Sequence, residues 1–538
     1  MADDFLSSQP QPWPPLLQLS AAVLFFLLPL LYLLFLRGSN GEVRGRQGNS
    51  ASAPSLPGPC RQLPVLGNLL QIGSRPHRYF QAVSRRYGPV VQVQLGGVRT
   101  VVVHSPEAAE DVLRTNDVHC CSRPPSPGPR MLSYNYLDVA FAPYSDYWRE
   151  MRKLFVVELT SVSRVRSFAY ARAAEVARLV DTLAASPPGV PVDLSCALYQ
   201  LLDGIIGTVA FGKGYGAAQW STERAVFQDV LSELLLVLGS FSFEDFFPSS
   251  ALARWADALA GVERRRRRIF RQVDGFLDSV IDKHLEPERL SAGVQEDMVD
   301  ALVKMWREQQ DRPSGVLTRE HIKAILMNTF AGGIDTTAIT AIWIMSEIMR
   351  NPRVMQKARA EVRNTVKNKP LVDEEDSQNL KYLEMIIKEN FRLHPPGNLL
   401  VPRQTMQPCL IGGYNVPSGT RVFINIWAMG RGPMIWDNPE EFYPERFEDR
   451  NMDFRGSNFE LVPFGSGRRI CPGVAMAVTS LELVVANLLY CFDWKLPKGM
   501  KEEDIDMEEI GQISFRRKVE LFIVPVKHEQ YQLMGHIN

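Results

Sequence analysis

The stretch Pro463-Phe464-Gly465-Ser466-Gly467-Arg468-Arg469-Ile470-Cys471-Pro472-Gly473 decides how the rest of the chain is read. An apolar helical run to Leu489 follows it, so Cys471 is expected just ahead of a helix N-terminus, with Pro472 suited to the first turn. The free amides and dipole at such an end favour a thiolate over a thiol, and Arg469 adds positive charge to the same loop. The glycines let the backbone approach a flat ligand. A thiolate so placed could be a nucleophile, a zinc ligand or an iron ligand. A nucleophile wants a base, and the nearest histidine in sequence is distant, although folding could bring one in. Zinc wants three more ligands, and none stands near. A thiolate holding haem iron needs no further protein ligand on that face. A dinucleotide fingerprint fails, because Ile470 stands where the third glycine should be.

Upstream, the run from Thr318 to Met349 reads as one long helix with Thr318 as its N-cap. From Ile322 to Ile348 it is mostly apolar all round, which marks a buried helix. Inside it lies Ala331-Gly332-Gly333-Ile334-Asp335-Thr336-Thr337. Two adjacent glycines in a helix interior each cost about 1 kcal/mol relative to alanine. They imply either close packing against a neighbour or a local opening of the helix beside a cavity. Thr336 is within reach of the Gly332 carbonyl and can widen such an opening. Asp335 places an ionisable group there. A third constellation, Glu389-Asn390-Phe391-Arg392, closes a helical pattern at His394, and with Arg446 it can build a buried, structural ion network.

Length would suggest three or four domains for 538 residues. Residues 16–36 are uncharged and rich in Leu and Phe, long enough to span a bilayer. Arg37, Arg44 and Arg46 behind them put the short 1–15 segment in the lumen and the remainder in the cytosol. Residues 37–59 read as a linker ending in a Pro-rich hinge, and 60–538 as one large body. Val90–Leu95 and 100–103 look like strands among mostly helical patterns, so the expected fold is mainly α with small β-sheets. The Arg264–Arg268 run reads as a solvated helix face. With 60 basic and 60 acidic residues the net charge is zero, which argues against nucleic acid as a partner. Seven cysteines, few and odd in number, favour a reducing compartment over a disulfide scaffold.

Taken in order, these constellations resemble the cytochrome P-450 superfamily over nearly the whole chain. Phe464-x-x-Gly467-x-Arg469-x-Cys471-x-Gly473 carries the resemblance most specifically, and Trp148-Arg149-Glu150-Met151-Arg152 resembles the family's W-x-x-x-R helix. The resemblance implies haem b with Cys471 as the axial thiolate to iron. It implies Trp148, Arg152, Arg403 and Arg469 at the haem propionates, with Phe464 and Gly473 also in the cofactor site. It implies Asp335 and Thr336 as the residues supplying protons for oxygen chemistry, and Glu389, Arg392 and Arg446 as a core-locking triad. The implied pocket walls are Met131, Leu137, Phe330, Ala331, Leu399 and Leu400. The implied partners are O2, an NADPH-dependent reductase, cytochrome b5, membrane lipid and a small aromatic substrate, at the endoplasmic-reticulum membrane. Within the superfamily, Cys120-Cys121-Ser122-Arg123-Pro124 and Phe141-Ala142-Pro143-Tyr144 are similar to the aldoxime-metabolising monooxygenases of grasses, in the plant seventy-one clan. That likeness implies conversion of an aldoxime to a hydroxynitrile. Hydroxylation of another phenolic, indolic or terpenoid substrate, an oxygen-independent haem-thiolate dehydratase, and a non-enzymatic ligand carrier are the competing readings.

Overall fold

The structure, a computed structural model, describes residues 55–59, 63–216, 221–286, 289, 295–310, 317–366, 369–511 and 513–528. The expected anchor at 16–36 and most of the linker lie outside these residues. The helices that position the site are α1 (Asp117–Cys120), α2 (Asp146–Leu154), α3 (Leu194–Phe211), α4 (Ala251–Leu259), α5 (Val262–Leu285), α6 (Arg319–Gly333), α7 (Asp335–Arg350), α8 (Lys381–Leu393) and α9 (Val474–Cys491). The strands used below are β1 (Val90–Leu95), β2 (Val98–Val103), β3 (Arg403–Gln404), β4 (Arg421–Ile424), β5 (Glu509–Gly511) and β6 (Phe515–Arg517).

Apolar residues all round a helix force it inside. The 318–349 run obeys this, but as two helices, α6 and α7, with Thr318 capping the first and the chain broken at Ile334. α3 and α9 are the two described helices apolar and long enough to cross a membrane, and most of each is buried inside the protein, which makes them core helices. Together α3, α7, α8 and α9 carry much of one large hydrophobic core.

The β structure is small and peripheral. β1, β2, β4 and β3 pair in that order into one sheet, with β1 and β2 antiparallel from Val90 opposite Val103 to Leu95 opposite Val98. The hinge residue Pro57 accepts a hydrogen bond from the Gln92 amide at 2.8 Å, which lays the hinge along β1.

Glu389 and Arg392 sit one helical turn apart on α8, fully buried. The Arg392 guanidinium donates to both Glu389 oxygens at 2.8 Å, and Arg446 Nε donates to Glu389 Oε1 at 2.9 Å. The remaining Arg392 donors reach the Pro439 and Glu441 carbonyls. A β-carbon at Gly430 would lie 2.1 Å from the Arg392 carbonyl oxygen, so only glycine fits against this node. The solvated-face expectation for Arg264–Arg268 needs one correction. Four of these side chains on α5 are exposed, but helical periodicity turns Arg266 inward against Gly128, and it is buried.

Candidate active site

The loop ahead of α9 fixes Cys471 from both sides. Its amide donates to the Phe464 carbonyl at 2.9 Å, and the Gly473 amide donates to its sulfur at 3.4 Å. Gly467 makes the loop possible. It takes a left-handed φ of 69°, and a β-carbon there would lie 2.3 Å from the Leu113 carbonyl oxygen. The helix begins later than the sequence reading expects. Gly473 is the N-cap and Val474 the first helical residue, so Pro472 belongs to the preceding turn rather than the first helical turn. Burial pushes the Cys471 thiol up, while the Gly473 amide and Arg152 pull it back. The expectation that the helix end alone favours the thiolate is therefore corrected: burial wins. A metal ion on the sulfur reverses that balance, because coordination deprotonates a thiol.

Around this loop four guanidinium groups converge. Arg469 lies over the Trp148 ring at 4.0 Å and donates to the carbonyls of Cys121, Val139 and Ala142. Arg403 bridges Asp117 at 2.9 Å and the Ser466 carbonyl at 2.8 Å. Arg152, one turn after Trp148 on α2, donates to the Ile470 carbonyl. Arg123 donates to the carbonyls of Ala140, Val401 and Pro402. The Trp148 indole N–H goes to Val139 at 2.9 Å. Burial, then mutual repulsion among them, holds Arg123 well below the usual arginine range. Burial pushes Arg469 down to about 9, and Arg152 is lowered for the same reason.

The carboxylates packed against this cluster are Asp117 and Asp138. Burial raises Asp138 to about 6, against hydrogen bonds from Asn328 and the amides of Phe141 and Ala142. Three of the four cations, Arg123, Arg152 and Arg469, thus donate only to carbonyl dipoles, and the Asp117 that holds Arg403 is shared with Arg468. Uncompensated buried charge is costly, and arginine is the preferred partner for carboxylates. This donor set fits a ligand bearing two carboxylates, and haem b has two propionates.

α6 and α7 supply the opposite wall. Between residues 321 and 349, accessible surface is confined to Asn328, Thr329, Ala331, Gly332, Gly333 and Thr336. Asn328 ties this strip to the arginine cluster. It donates to Asp138 at 3.0 Å and accepts from the Val139 and Ala140 amides at 3.1 Å. The two glycines divide the two readings between them. A β-carbon on Gly333 would lie 2.8 Å from Ile206 on α3, so this glycine serves close packing. One on Gly332 would meet nothing within 4 Å, so this glycine faces open space. The Thr336 hydroxyl donates to the Gly332 carbonyl at 2.7 Å and holds the helix open there. Asp335, buried on the next turn, accepts from Tyr199 on α3 at 3.1 Å and from Ser514.

The expected pocket walls divide. Ala331, Met131, Leu137, Leu399 and Leu400 keep accessible surface, and Leu400 approaches the position of a Gly465 β-carbon at 4.0 Å. Phe330 does not fit the expectation. It is fully buried and stacks on Phe211 at 4.8 Å, because it projects from α6 toward the core. Sequence reasoning also missed Arg123, Asp138 and Asn328 as members of the site. Asn328 had a signal, a polar residue in an apolar helix one turn before Gly332. It further missed the backbone at 134–136, where Tyr134, Asn135 and Tyr136 are all left-handed without a glycine. Such strain persists only where surrounding contacts over-determine it.

A half-buried cysteine on a glycine turn, an arginine cluster short of anions, and a helix opened by a threonine fit a haem-thiolate site. The chain belongs to the family described as Cytochrome P450, which it matches over residues 57–522. It is 49% identical to the 4-hydroxyphenylacetaldehyde oxime monooxygenase of Sorghum bicolor over 97% of both chains. It is 44% identical to the 2-methylbutanal oxime monooxygenase of Manihot esculenta, over 98% of this chain and all of that one. Its fold matches a zebrafish cytochrome P450 structure with progesterone at a TM-score of 0.72 and 24% identity, covering 84% of this chain and 99% of that one. The protein is a haem-thiolate monooxygenase, an enzyme type that uses O2, a redox-partner reductase and a small-molecule substrate.

Proposed function

We propose that this enzyme is a membrane-anchored plant monooxygenase of specialised metabolism that oxidises a small aromatic substrate, an aldoxime converted to a hydroxynitrile. Two relatives that match nearly the full chain at 44–49% identity bear the names of oxime monooxygenases, and this carries the proposal. Cys471 would hold the iron of haem b, in a catalytic body spanning 60–538. Arg152, Arg403 and Arg469, with Trp148 packed on Arg469, would hold the propionates, while Phe464 and Gly473 flank the cysteine. When bound, haem would supply dioxygen activation, and a cysteine thiolate on its iron would contribute electron density to it.

The chain's own residues do the rest. Thr336 keeps the Gly332 turn open and offers a hydroxyl at the cavity edge. Asp335 stands one residue away as the proposed proton-handling carboxyl, which burial pushes up. The apolar side chains of Ala331, Leu399, Leu400, Met131 and Leu137 orient a small substrate and exclude water. Asp335 and Thr336 favour an oxygenase over an oxygen-independent dehydratase. The test is aerobic against anaerobic turnover with 4-hydroxyphenyl- and branched-chain aldoximes, after screening for substrate-induced spectral shifts among aldoximes, nitriles, phenols and indoles. Oxygen-dependent nitrile or hydroxynitrile formation supports the proposal, and turnover only of an unrelated class defeats it. Thr336→Ala should raise peroxide release per NADPH several-fold with haem retained, read by peroxide assay beside the haem spectrum.

For location, the 16–36 segment is proposed as a single anchor in the endoplasmic-reticulum membrane, with residues 1–15 lumenal and the 37–59 linker leading to a cytosolic body. One surface supports contact with lipid. On α4, Leu252, Trp255 and Leu259 line one helical face at 73%, 62% and 68% exposure. The preceding segment docks beside the chain's entry, where Gly97 donates to the Phe246 carbonyl and Gly96 to that of Leu66. Leu63 and Val65, beside the same entry point, are also exposed. NADPH-dependent reductase and cytochrome b5 are the proposed electron donors, with exposed Arg149 and Lys153 as docking charges.

A further inference from the structure

We propose that Tyr199 and Ser514 are positioning residues of the reaction, whose hydroxyls hold the Asp335 carboxyl and link it to the protein surface as its route of proton resupply. This rests on the reading of Asp335 and Thr336 as the proton-handling pair.

The geometry sets this carboxyl apart. Asp335 is the first residue of α7 after the helix break. One of its oxygens accepts from the Tyr199 hydroxyl on α3 at 3.1 Å, and the other from Ser514 in the β5–β6 turn. No guanidinium or ammonium contacts it among the described residues. The nearest cation of consequence is Arg516, which acts through space and is engaged by Glu520 at 2.7 Å. Arginine only donates and keeps its protons, whereas a hydroxyl both donates and accepts. Two hydroxyls can therefore pass a proton on: each gives its hydrogen to a carboxylate oxygen and takes one from water on its outer side. A guanidinium in their place would hold the aspartate permanently ionised.

The arrangement also runs from outside to inside. Arg516 and Glu520 are solvent-exposed, Ser514 and Tyr199 are half-buried, and Asp335 is buried. The turn that carries Ser514 is anchored to both sides of the site. The Phe515 amide donates to Pro396 at 2.9 Å, and Trp343 of α7 itself donates to the Phe515 carbonyl at 3.3 Å. Ser514 is thus fixed relative to the helix it serves. Burial raises the Asp335 carboxyl and the two hydroxyls lower it, so the same contacts that link it to solvent also poise it. Tyr199 and Ser514 lie 136 and 179 residues from Asp335, which is why no sequence motif joins them.

The test uses the full-length haem enzyme with reductase, comparing Tyr199→Phe, Ser514→Ala and the double variant with Asp335→Asn and Thr336→Ala. The double variant should lose coupled turnover by roughly tenfold, below the about 10²–10⁴-fold typical of a general acid itself. Its peroxide yield and solvent deuterium isotope effect should rise, with an unchanged reduced carbon monoxide spectrum and unchanged substrate-induced shift. Ser514→Thr, which keeps the hydroxyl, should couple as the wild type does, unlike Ser514→Ala. A second readout needs no turnover: the infrared carboxyl band lost in Asp335→Asn should shift in Tyr199→Phe and Ser514→Ala, and its titration should move upward. Wild-type coupling and an unmoved band in the double variant, with Asp335→Asn uncoupled, overturns the proposal alone. Full coupling in both Asp335→Asn and Thr336→Ala removes the proton-handling reading, and the proposal with it.

Discussion

The protein holds two clusters of buried or half-buried arginine, and they are balanced differently. At Glu389, one carboxylate accepts from Arg392 and Arg446, the Tyr443 amide adds a third donor, and the spare guanidinium donors end on carbonyls. The remaining Arg446 donors end on the Asp437, Asn438 and Glu441 carbonyls. Around Cys471, four guanidinium groups face Asp117 and a carboxyl, Asp138, that burial has raised to about 6. The first cluster is complete as it stands. The second has fewer carboxylates than guanidinium groups, the deficit that the proposed haem propionates would fill. A closed cluster locks a fold, and an open one describes its ligand.

The largest test of the contrast is Cys471→Ser. It removes the sulfur proposed to hold the iron, and should abolish the thiolate-type reduced carbon monoxide band and all coupled turnover. The fold should persist, checked by far-ultraviolet circular dichroism. Next, the apoprotein should discriminate between haem and its dimethyl ester, whose carboxylates carry no charge. Two charge-assisted contacts at about 1.5–3 kcal/mol each give a loss of about 3–6 kcal/mol in affinity, read by Soret titration. Equal affinities would mean that the four arginines are already balanced. The closed cluster should respond in the opposite manner. Glu389→Ala leaves two guanidinium groups without their carboxylate and should destabilise the protein by about 3–5 kcal/mol, by denaturant titration, whether or not haem is supplied.

The same contrast explains what could be read in the sequence. Glu389 and Arg392 are one helical turn apart, and Gly332 and Thr336 are four residues apart, so helix geometry alone joins each pair. The Cys471 loop is equally local. The arginine cluster is not: Arg469 reaches carbonyls 327 to 348 residues away, and Arg123 spans 278 residues to Val401. No spacing rule connects such residues. Burial decides them, and burial is a property of the folded whole. Local detail also escaped where two readings share one pattern. Phe330 and Ala331 are adjacent in an apolar helix, yet one faces the core and the other the cavity, because a single residue step turns a helix by about 100°. The start of α9 slipped for a similar reason. Pro472 suits either a first helical turn or the turn before it, and the glycine that caps the helix is the residue after.

The smallest expected effect lies on the outer face of α2, which carries the contrast from the interior to the surface. Trp148 and Arg152 point inward toward the Cys471 loop, whereas Arg149 and Lys153 are exposed. Arg149 already pairs with Asp146, and both are well exposed, so this pair adds little to stability. Charges of this kind act on encounter with a partner rather than on the fold. Lys153→Glu should therefore slow reductase-driven turnover a few-fold at low salt and leave the denaturation midpoint unchanged. The difference should shrink as salt rises, because the screening length falls from about 10 Å at 0.1 M to about 3 Å at 1 M. Reduction by dithionite, which needs no docking face, should be unaffected. A salt-independent loss shared by dithionite would place Lys153 with the inner cluster, and would redraw the boundary between the charges that hold a ligand and those that greet a partner.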